Sequence, residues 1–141
     1  MLFRSYWIDN NGGEDPPDTT LYPTFDSKGK DQSPPGHDLE DYFCFYSTDN
    51  FNLPFTAEHI KIELLNQPVG TDGDISLYKG LTECLANNAI ASVVVVGGGD
   101  EKLDWQETGG GDTATYYVRV QNYSSQPNCG KPYTLKIQGL K

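Results

Sequence analysis

Residues 115–120 read Thr-Tyr-Tyr-Val-Arg-Val, an alternation of apolar and polar side chains that is typical of a half-buried β-strand. Successive side chains of a strand point to opposite faces, so Tyr116, Val118 and Val120 are predicted to face a core. Tyr117 and Arg119 are then predicted to lie on the opposite face. The closing stretch, residues 133–137, shows the same character.

Further segments of this kind lie between Gly- and Pro-containing turns, at short and regular intervals: residues 41–47, 59–64, 74–78, 90–96 and 103–105. In the first of them, Phe43 and Phe45 share one face and Cys44 lies on the other. In the second, Ile60 and Ile62 are predicted to be buried, with Leu64. Because no helical period separates these strands, the sequence predicts an all-β antiparallel sandwich or jelly roll of about seven to nine strands.

Two stretches do not follow this pattern. Residues 9–20 hold no aliphatic or aromatic side chain, so we divide the chain into an N-terminal strand and acidic linker or arm at 1–20 and a β-sandwich domain at 21–141. Residues 90–96, Ile-Ala-Ser-Val-Val-Val-Val, are a nearly continuous apolar run. Such a run is either buried on both faces or forms a sheet edge that needs a partner.

The charge of the chain excludes some classes of partner. There are 20 Asp and Glu residues against 10 Lys and Arg, for a formal net charge of -10, and the cationic residues are scattered singly. Nucleic acid is therefore not expected as a partner, because phosphate binding needs clustered cations. No apolar stretch approaches the roughly 20 residues that span a bilayer, so membrane insertion is not expected. The first eight residues lack the features of a signal peptide, and any export signal has been removed or was never in this chain.

Three segments, in order, carry a resemblance to a known family. They are Asp-Leu-Glu-Asp-Tyr-Phe-Cys-Phe at 38–45, Gly-Asp-Ile-Ser-Leu-Tyr at 73–78, and residues 115–120 followed by Tyr-Thr-Leu-Lys-Ile at 133–137. Together they resemble the bacterial pre-peptidase C-terminal domain, a family that includes the collagen-binding domains of clostridial collagenases. The resemblance implies a secreted or cell-surface jelly-roll β-sandwich. It also implies a non-catalytic accessory module that binds an extracellular polymer or its parent secreted enzyme.

The resemblance further implies a structural calcium site between an acidic arm and a pair of aspartates before the first long strand. Here the arm carries Glu14, Asp15 and Asp18, and the pair is Asp38 and Asp41. Calcium takes six to eight oxygen ligands, which these carboxylates supply if the arm folds back. The alternative is that they are solvated loop acids in a protein that is acidic everywhere.

The three cysteines lack the spacing of metal ligands. In an exported protein one disulfide and one thiol are the simplest arrangement, and we favour Cys84 with Cys129 because both are predicted to lie in loops. Cys44 then remains a thiol. Three reduced thiols in a cytosolic chain are the alternative.

Catalytic motifs are not found in the sequence, and we expect no catalytic residues. Asp72 and Asp74 flank a glycine and are interpreted as turn residues rather than as an acid and base pair. His59 stands at a strand start. A ligand-binding role is instead assigned to Tyr117, Arg119 and Tyr123, which we expect to form an exposed group, with plain surface as the alternative.

Residues 2–8, Leu-Phe-Arg-Ser-Tyr-Trp-Ile, lie outside the resemblance and support a second hypothesis. As an extended aromatic strand on an arm, they fit β-strand addition to the sheet of another copy. The chain would then be a self-assembling structural subunit of an extracellular filament or surface layer.

Overall fold

The structure is a computed structural model that describes residues 6–7, 19–23, 40–47, 59–107, 113–123 and 131–139. The described residues contain nine strands and one short helix. Their bounds are β1 Tyr6–Trp7, β2 Thr19–Leu21, β3 Glu40–Ser47, β4 His59–Leu65, β5 Gly73–Lys79, α1 Leu81–Leu85, β6 Ala91–Val93, β7 Glu101–Gln106, β8 Ala114–Asn122 and β9 Thr134–Gly139.

The strands form two sheets, with the orders β1-β3-β8-β5-β6 and β2-β9-β4-β7. Apart from β1, each sheet has four strands, and successive strands from β2 to β9 change sheet at every step except between the neighbours β5 and β6. This strand order is that of a jelly roll, in which two Greek keys form two facing sheets. The prediction of an antiparallel jelly-roll β-sandwich is therefore confirmed.

The core lies between the two sheets and contains the side chains that alternation predicted. Tyr116, Val118 and Val120 of β8 face inward with Phe45 of β3, and all four are fully buried. Phe45 stacks on Tyr116, with ring centroids 5.7 Å apart, and Trp105 of the opposite sheet tilts against Tyr116 at 5.8 Å. These aromatic contacts join the two sheets across the sandwich.

Strand β5 is buried on both faces. Ile75 and Leu77 belong to the core, and Tyr78, whose side chain points the other way, is also fully buried. Its hydroxyl donates a hydrogen bond to Asn87 Oδ1 at 2.7 Å, in the segment that connects β5 to β6. The same segment contains α1, which packs against β5 and β8. The connection between two neighbouring strands thus covers the outer face of their sheet.

Two details differ from the sequence predictions. The predicted pattern had no helix, whereas residues 81–85 form α1; in the described part of the chain no helix has the length and apolar character needed to cross a membrane. The apolar run at 90–96 was predicted to be one strand, but only Ala91–Val93 pairs with β5, as the edge strand of its sheet. Residues 94–96 leave the sheet because the chain turns there toward three glycines.

The N-terminal part of the chain contributes two edge strands. β1 pairs in parallel with β3, placing Tyr6 opposite Phe43 and Trp7 opposite Cys44. β2 pairs antiparallel with β9 and begins at Thr19, inside the predicted arm. The sequence predicted an N-terminal strand but did not predict β2.

We expect Leu77→Ala to lower the free energy of unfolding by about 2–5 kcal/mol, because it removes a fully buried side chain from the core. Leu85→Ala is the matched control: Leu85 is 62% exposed, and we expect a change of less than about 0.5 kcal/mol. Urea denaturation measures both values. Equal effects would contradict this placement of β5 and α1.

Candidate functional site

Three connections meet at one end of the sandwich, and the side chain and backbone of Asp72 join them. Asp72 Oδ1 accepts hydrogen bonds from the backbone N–H groups of Gly97, at 3.2 Å, and Gly98, at 2.9 Å. The N–H of Asp72 donates to Asn122 Oδ1 at 2.9 Å, and its carbonyl oxygen accepts from the N–H of Tyr123 at 2.8 Å. We call residues 66–72, 94–100 and 121–123 the Asp72 tip.

The first part of the tip is the tight turn between β4 and β5. The N–H of Thr71 donates to the carbonyl oxygen of Pro68 at 3.1 Å, and the Thr71 hydroxyl donates to the same oxygen at 2.6 Å. Gly70 has a φ of +88°, a value that glycine adopts readily and that this position of the turn requires. The turn therefore holds Val69 at its corner, where the side chain is 97% exposed.

The second part is the β6–β7 loop, which packs directly on this turn at Gly98. A Cβ atom at Gly98 would lie 2.1 Å from the carbonyl oxygen of Thr71, and Gly98 has a φ of +74°. The loop is also joined to the turn by Gln67, whose Nε2 donates to the carbonyl oxygen of Gly99 at 2.7 Å and whose Oε1 accepts from the N–H of Gly73 at 2.6 Å. Only glycine permits this close approach of two backbones.

The exposed side chains of the tip are apolar. Val96 is 91% exposed, and Val94 and Tyr123 are also mostly exposed, as is Val69. A set of aliphatic and aromatic side chains held outward by tightly bonded loops marks an interaction surface more often than isolated exposed residues do. Loops placed on a rigid scaffold are also where binding residues are concentrated.

Two buried carboxyl groups lie directly behind the β6–β7 loop. Glu101 is 1% exposed; its Oε1 accepts from the N–H of Val95 at 2.6 Å and its Oε2 from the N–H of Ile75 at 3.2 Å. Asp74 is 7% exposed and lies beside Glu101, and each of the two carboxyl groups shifts the pKa of the other. Burial is the main cause that raises the pKa of Glu101 to about 7; the bond from Val95 opposes this shift and the charge of Asp74 adds to it. Burial likewise raises the pKa of Asp74.

The predicted ligand-binding residues do not form one exposed group. Tyr117 and Arg119 lie on the outer face of the sheet, as predicted, but both are half-buried on the side where α1 packs. The guanidinium carbon of Arg119 is 5.6 Å from the centroid of the Tyr78 ring. Tyr123 lies beyond the end of β8, in the Asp72 tip, where it is exposed. A ligand-binding role for the three residues stays a prediction.

The predicted calcium ligands fall mostly outside the described residues: Glu14, Asp15, Asp18 and Asp38. Asp41 is described, in β3, and its Oδ2 accepts a hydrogen bond from the Tyr133 hydroxyl at 2.5 Å. Among the residues that the structure describes, no three His, Cys, Asp or Glu side chains converge as metal ligands. The calcium site stays a prediction.

The cysteines are placed differently from the expectation in one respect. Cys84 was predicted to lie in a loop, but it lies in α1 and is buried, with its pKa raised to about 11, mainly by burial. Cys44 is a buried thiol on the outer face of β3, as predicted. Cys129 lies outside the described residues, so its disulfide with Cys84 stays a prediction.

The residues considered for catalysis have structural contacts. Asp72 joins the loops of the tip, in line with its interpretation as a turn residue, whereas Asp74 is not a turn residue but a buried residue of β5. His59 Nε2 contacts Asp104 Oδ1 on the neighbouring strand β7.

Sequence reasoning missed Glu101, although a signal for it exists. The strand around Leu103 and Trp105 was predicted, and alternation carried back by two residues places Glu101 on the same inward face. An inward carboxylate next to three glycines indicates a side chain that bonds loop backbone. The exposed valines at 94–96 were missed because valine favours strands.

Comparison with known proteins gives information on the fold. The chain matches no protein-family model, and no curated protein matches it. Among solved structures it is similar to the Yersinia pseudotuberculosis-derived mitogen, with a TM-score of 0.52 and 15% sequence identity, over 87% of this chain and 86% of that chain. At this identity the likeness shows the β-sandwich fold alone.

We expect Gly98→Ala to destabilise the protein more than Gly97→Ala. Both glycines have a positive φ, so each substitution costs about 1–2 kcal/mol of backbone strain. A Cβ at Gly97 meets no atom within 4 Å, whereas one at Gly98 overlaps Thr71 and adds about 1–3 kcal/mol. Urea denaturation of the two variants tests this, and equal losses would show that the loop does not pack on the turn.

Proposed function

We propose that the chain is a non-catalytic extracellular binding module that attaches to an insoluble polymer through the Asp72 tip. The observation that carries this proposal is the outward placement of Val69, Val94, Val96 and Tyr123 on loops held by Asp72. The resemblance of the sequence to the pre-peptidase C-terminal domain supports the same role. Attachment to a parent secreted enzyme is the other role that the resemblance implies, and it is an outcome of the test below.

The chemistry of the tip favours a neutral partner. With a net charge of -10 the chain repels polyanions at long range, so an acidic polymer is disfavoured. Apolar side chains on held loops instead offer a contact that loses little conformational entropy on binding. The proposed ligand is therefore a neutral polymer with apolar surface, such as a protein fibril or an uncharged polysaccharide.

The hydrogen bonds of the carboxylates in the tip and directly behind it support a non-catalytic role. Asp72 Oδ1 is engaged by two backbone N–H groups and both oxygens of Glu101 are engaged by others. Such groups hold loops in place, whereas an acid or base in catalysis must reach a substrate.

We expect the wild-type chain to co-sediment with at least one of fibrillar collagen, chitin and cellulose. The double variant Val69→Ser/Val96→Ser should bind at least roughly tenfold more weakly, because two apolar side chains no longer enter the contact. Leu85→Ser is the control, since Leu85 is exposed on α1 rather than at the tip.

Equal binding by the wild type and the tip variant would contradict the role of the tip. If the wild type sediments with none of the three polymers, the proposal of polymer binding is wrong. Attachment to a parent secreted enzyme is then the remaining role for the module.

Calcium belongs to this proposal as a structural ion held by Glu14, Asp15, Asp18, Asp38 and Asp41. If the arm is clamped in this way, about 2 mM calcium should decrease the hydrodynamic radius and excess chelator should restore it. Size-exclusion chromatography with light scattering measures the radius, and Asp15→Asn/Asp18→Asn should remove the response. A radius that is equal in both buffers would contradict the site.

Self-assembly is a second candidate, and the pairing of β1 supports it. Tyr6–Trp7 adds as a parallel strand to the edge of β3, which shows that this edge accepts the N-terminal segment within one chain. The same pairing made between chains would join copies into a filament or surface layer.

Deletion of residues 1–12 separates the two candidates. A binding module remains monomeric and folded with or without these residues, whereas an assembling subunit forms oligomers that the deletion abolishes. Light scattering on the full chain and on the deletion variant gives the answer.

A further inference from the structure

The β6–β7 loop is held by carboxylates where strand pairing has ended. Pairing of β6 with β5 extends from Ala91 to Val93, and the next bonded N–H groups are those of Val95, Gly97 and Gly98. Glu101 accepts the first of these bonds and Asp72 the other two. The position of the exposed valines at 94 and 96 therefore depends on these two side chains.

Glu101 and Asp74 form a pair with few opposing charges. Glu101 starts β7 in one sheet and reaches across to the N–H of Ile75 in the other. The charged groups that act on the pair are Asp72, which is also negative, and Arg119 of β8, the one cation among those that act on Asp74. Asp74 Oδ1 is buried and has no hydrogen-bond partner among the described residues.

Two such carboxyl groups do not both ionise readily. Like charges in contact, removed from water, favour a single proton shared between them. With the proton present, one carboxyl group donates to the other and the pair carries a single charge. Without it, two buried negative charges repel each other beside Asp72.

We propose that the Asp74–Glu101 pair is a pH-sensitive latch, which holds the β6–β7 loop against the β4–β5 turn while it keeps its shared proton and releases the loop when the proton is lost. The proposal rests on the proposed function in one respect, since the loop that it controls carries part of the proposed binding surface. The released state is the one in which Val94 and Val96 lose their fixed position.

The direction of the pH effect follows from the raised pKa of Glu101. Its folded value of about 7 exceeds its ordinary value of 4.5, so the stabilisation is complete below pH 4.5 and is lost as the pH rises through 7. The latch is therefore expected to hold the loop at pH 5.5 and to loosen it at pH 8.

Amide hydrogen exchange of the isolated chain, measured by NMR between pH 5.5 and 8, tests the latch. After correction for the intrinsic dependence of exchange on pH, protection of the Val95 and Gly98 amides should already fall as the pH rises from 5.5, by up to roughly tenfold per pH unit, because Glu101 keeps its proton in the held state and has lost it in the released state. Protection should level off above a pH of about 7, where Glu101 is ionised in both states.

Two variants identify the titrating pair. Glu101→Gln keeps an acceptor for Val95 and a donor for Asp74 but loses the acceptor for Ile75, so protection at pH 5.5 should be lower than in the wild type. Because the variant has no carboxyl group at this position to titrate, its protection should not change with pH. Asp74→Asn should remove the pH response in the same way. Glu83→Gln, in α1, is the control and should retain the wild-type response.

A wild-type protection that does not change with pH would overturn the latch, as would a Glu101→Gln variant that still shows the fall. These results are obtained without any polymer, so they leave the proposed function standing. Failure to sediment with a polymer at both pH 5.5 and pH 8 would instead overturn polymer binding by the Asp72 tip and leave the latch standing.

Discussion

The β6–β7 loop keeps its conformation because carboxylate oxygens accept hydrogen bonds from its backbone N–H groups, in place of the carbonyl oxygens of a neighbouring strand. Past Val93 the chain leaves the sheet, and buried or half-buried N–H groups without partners would be costly. Glu101 bonds the N–H of Val95, and Asp72 bonds those of Gly97 and Gly98. The close approach at Gly98 and the outward placement of Val94 and Val96 depend on these hydrogen bonds.

The tip in turn links parts of the chain that are distant in sequence. Asp72 joins the β4–β5 turn to the β6–β7 loop and to the end of β8, so the three connections have a fixed relative position. A surface built in this way differs from a set of independent loops, because its apolar side chains are presented together. This coupling is the physical basis for proposing a binding surface here rather than on the outer face of the sheet, where Tyr117 and Arg119 are half-buried beside α1.

The carboxylates of this acidic chain have different roles in different places. At the tip they accept backbone hydrogen bonds and one pair is buried; in the arm, Glu14, Asp15 and Asp18 are proposed to hold calcium. The acidic residues behind the net charge of -10 are therefore not all solvated surface groups. Some of them are buried, and their protonation is linked to the stability of the fold.

Alternation in the sequence predicted the long strands and their inward residues well, because β4 and β8 each bury one regular face. It failed for elements whose formation depends on distant partners. The Thr-Thr-Leu of β2 has no pattern of its own and is a strand because β9 pairs with it. The five residues of α1 are too few to show a helical period.

The site was predicted less completely than the fold, for a related reason. Valine favours strands, yet residues 94–96 lie in a loop. The chain leaves the sheet there because Gly98 packs on Thr71 and its N–H bonds to the Asp72 carboxylate. No local pattern reveals that Asp72, Asn122 and Gly98 meet. Tyr123 was predicted from the sequence as a ligand-binding residue, and it does lie at the tip. The sequence prediction grouped it with Tyr117 and Arg119, however, and not with the exposed valines.

The central claim is that the β6–β7 loop packs on the β4–β5 turn at Gly98. Nuclear Overhauser effects in the wild-type chain test this directly, because a Cβ position at Gly98 lies 3.8 Å from the Cα of Asp72. The account predicts strong cross-peaks between the α protons of Gly98 and those of Thr71 and Asp72. A loop whose Gly98 protons show only sequential cross-peaks would contradict it.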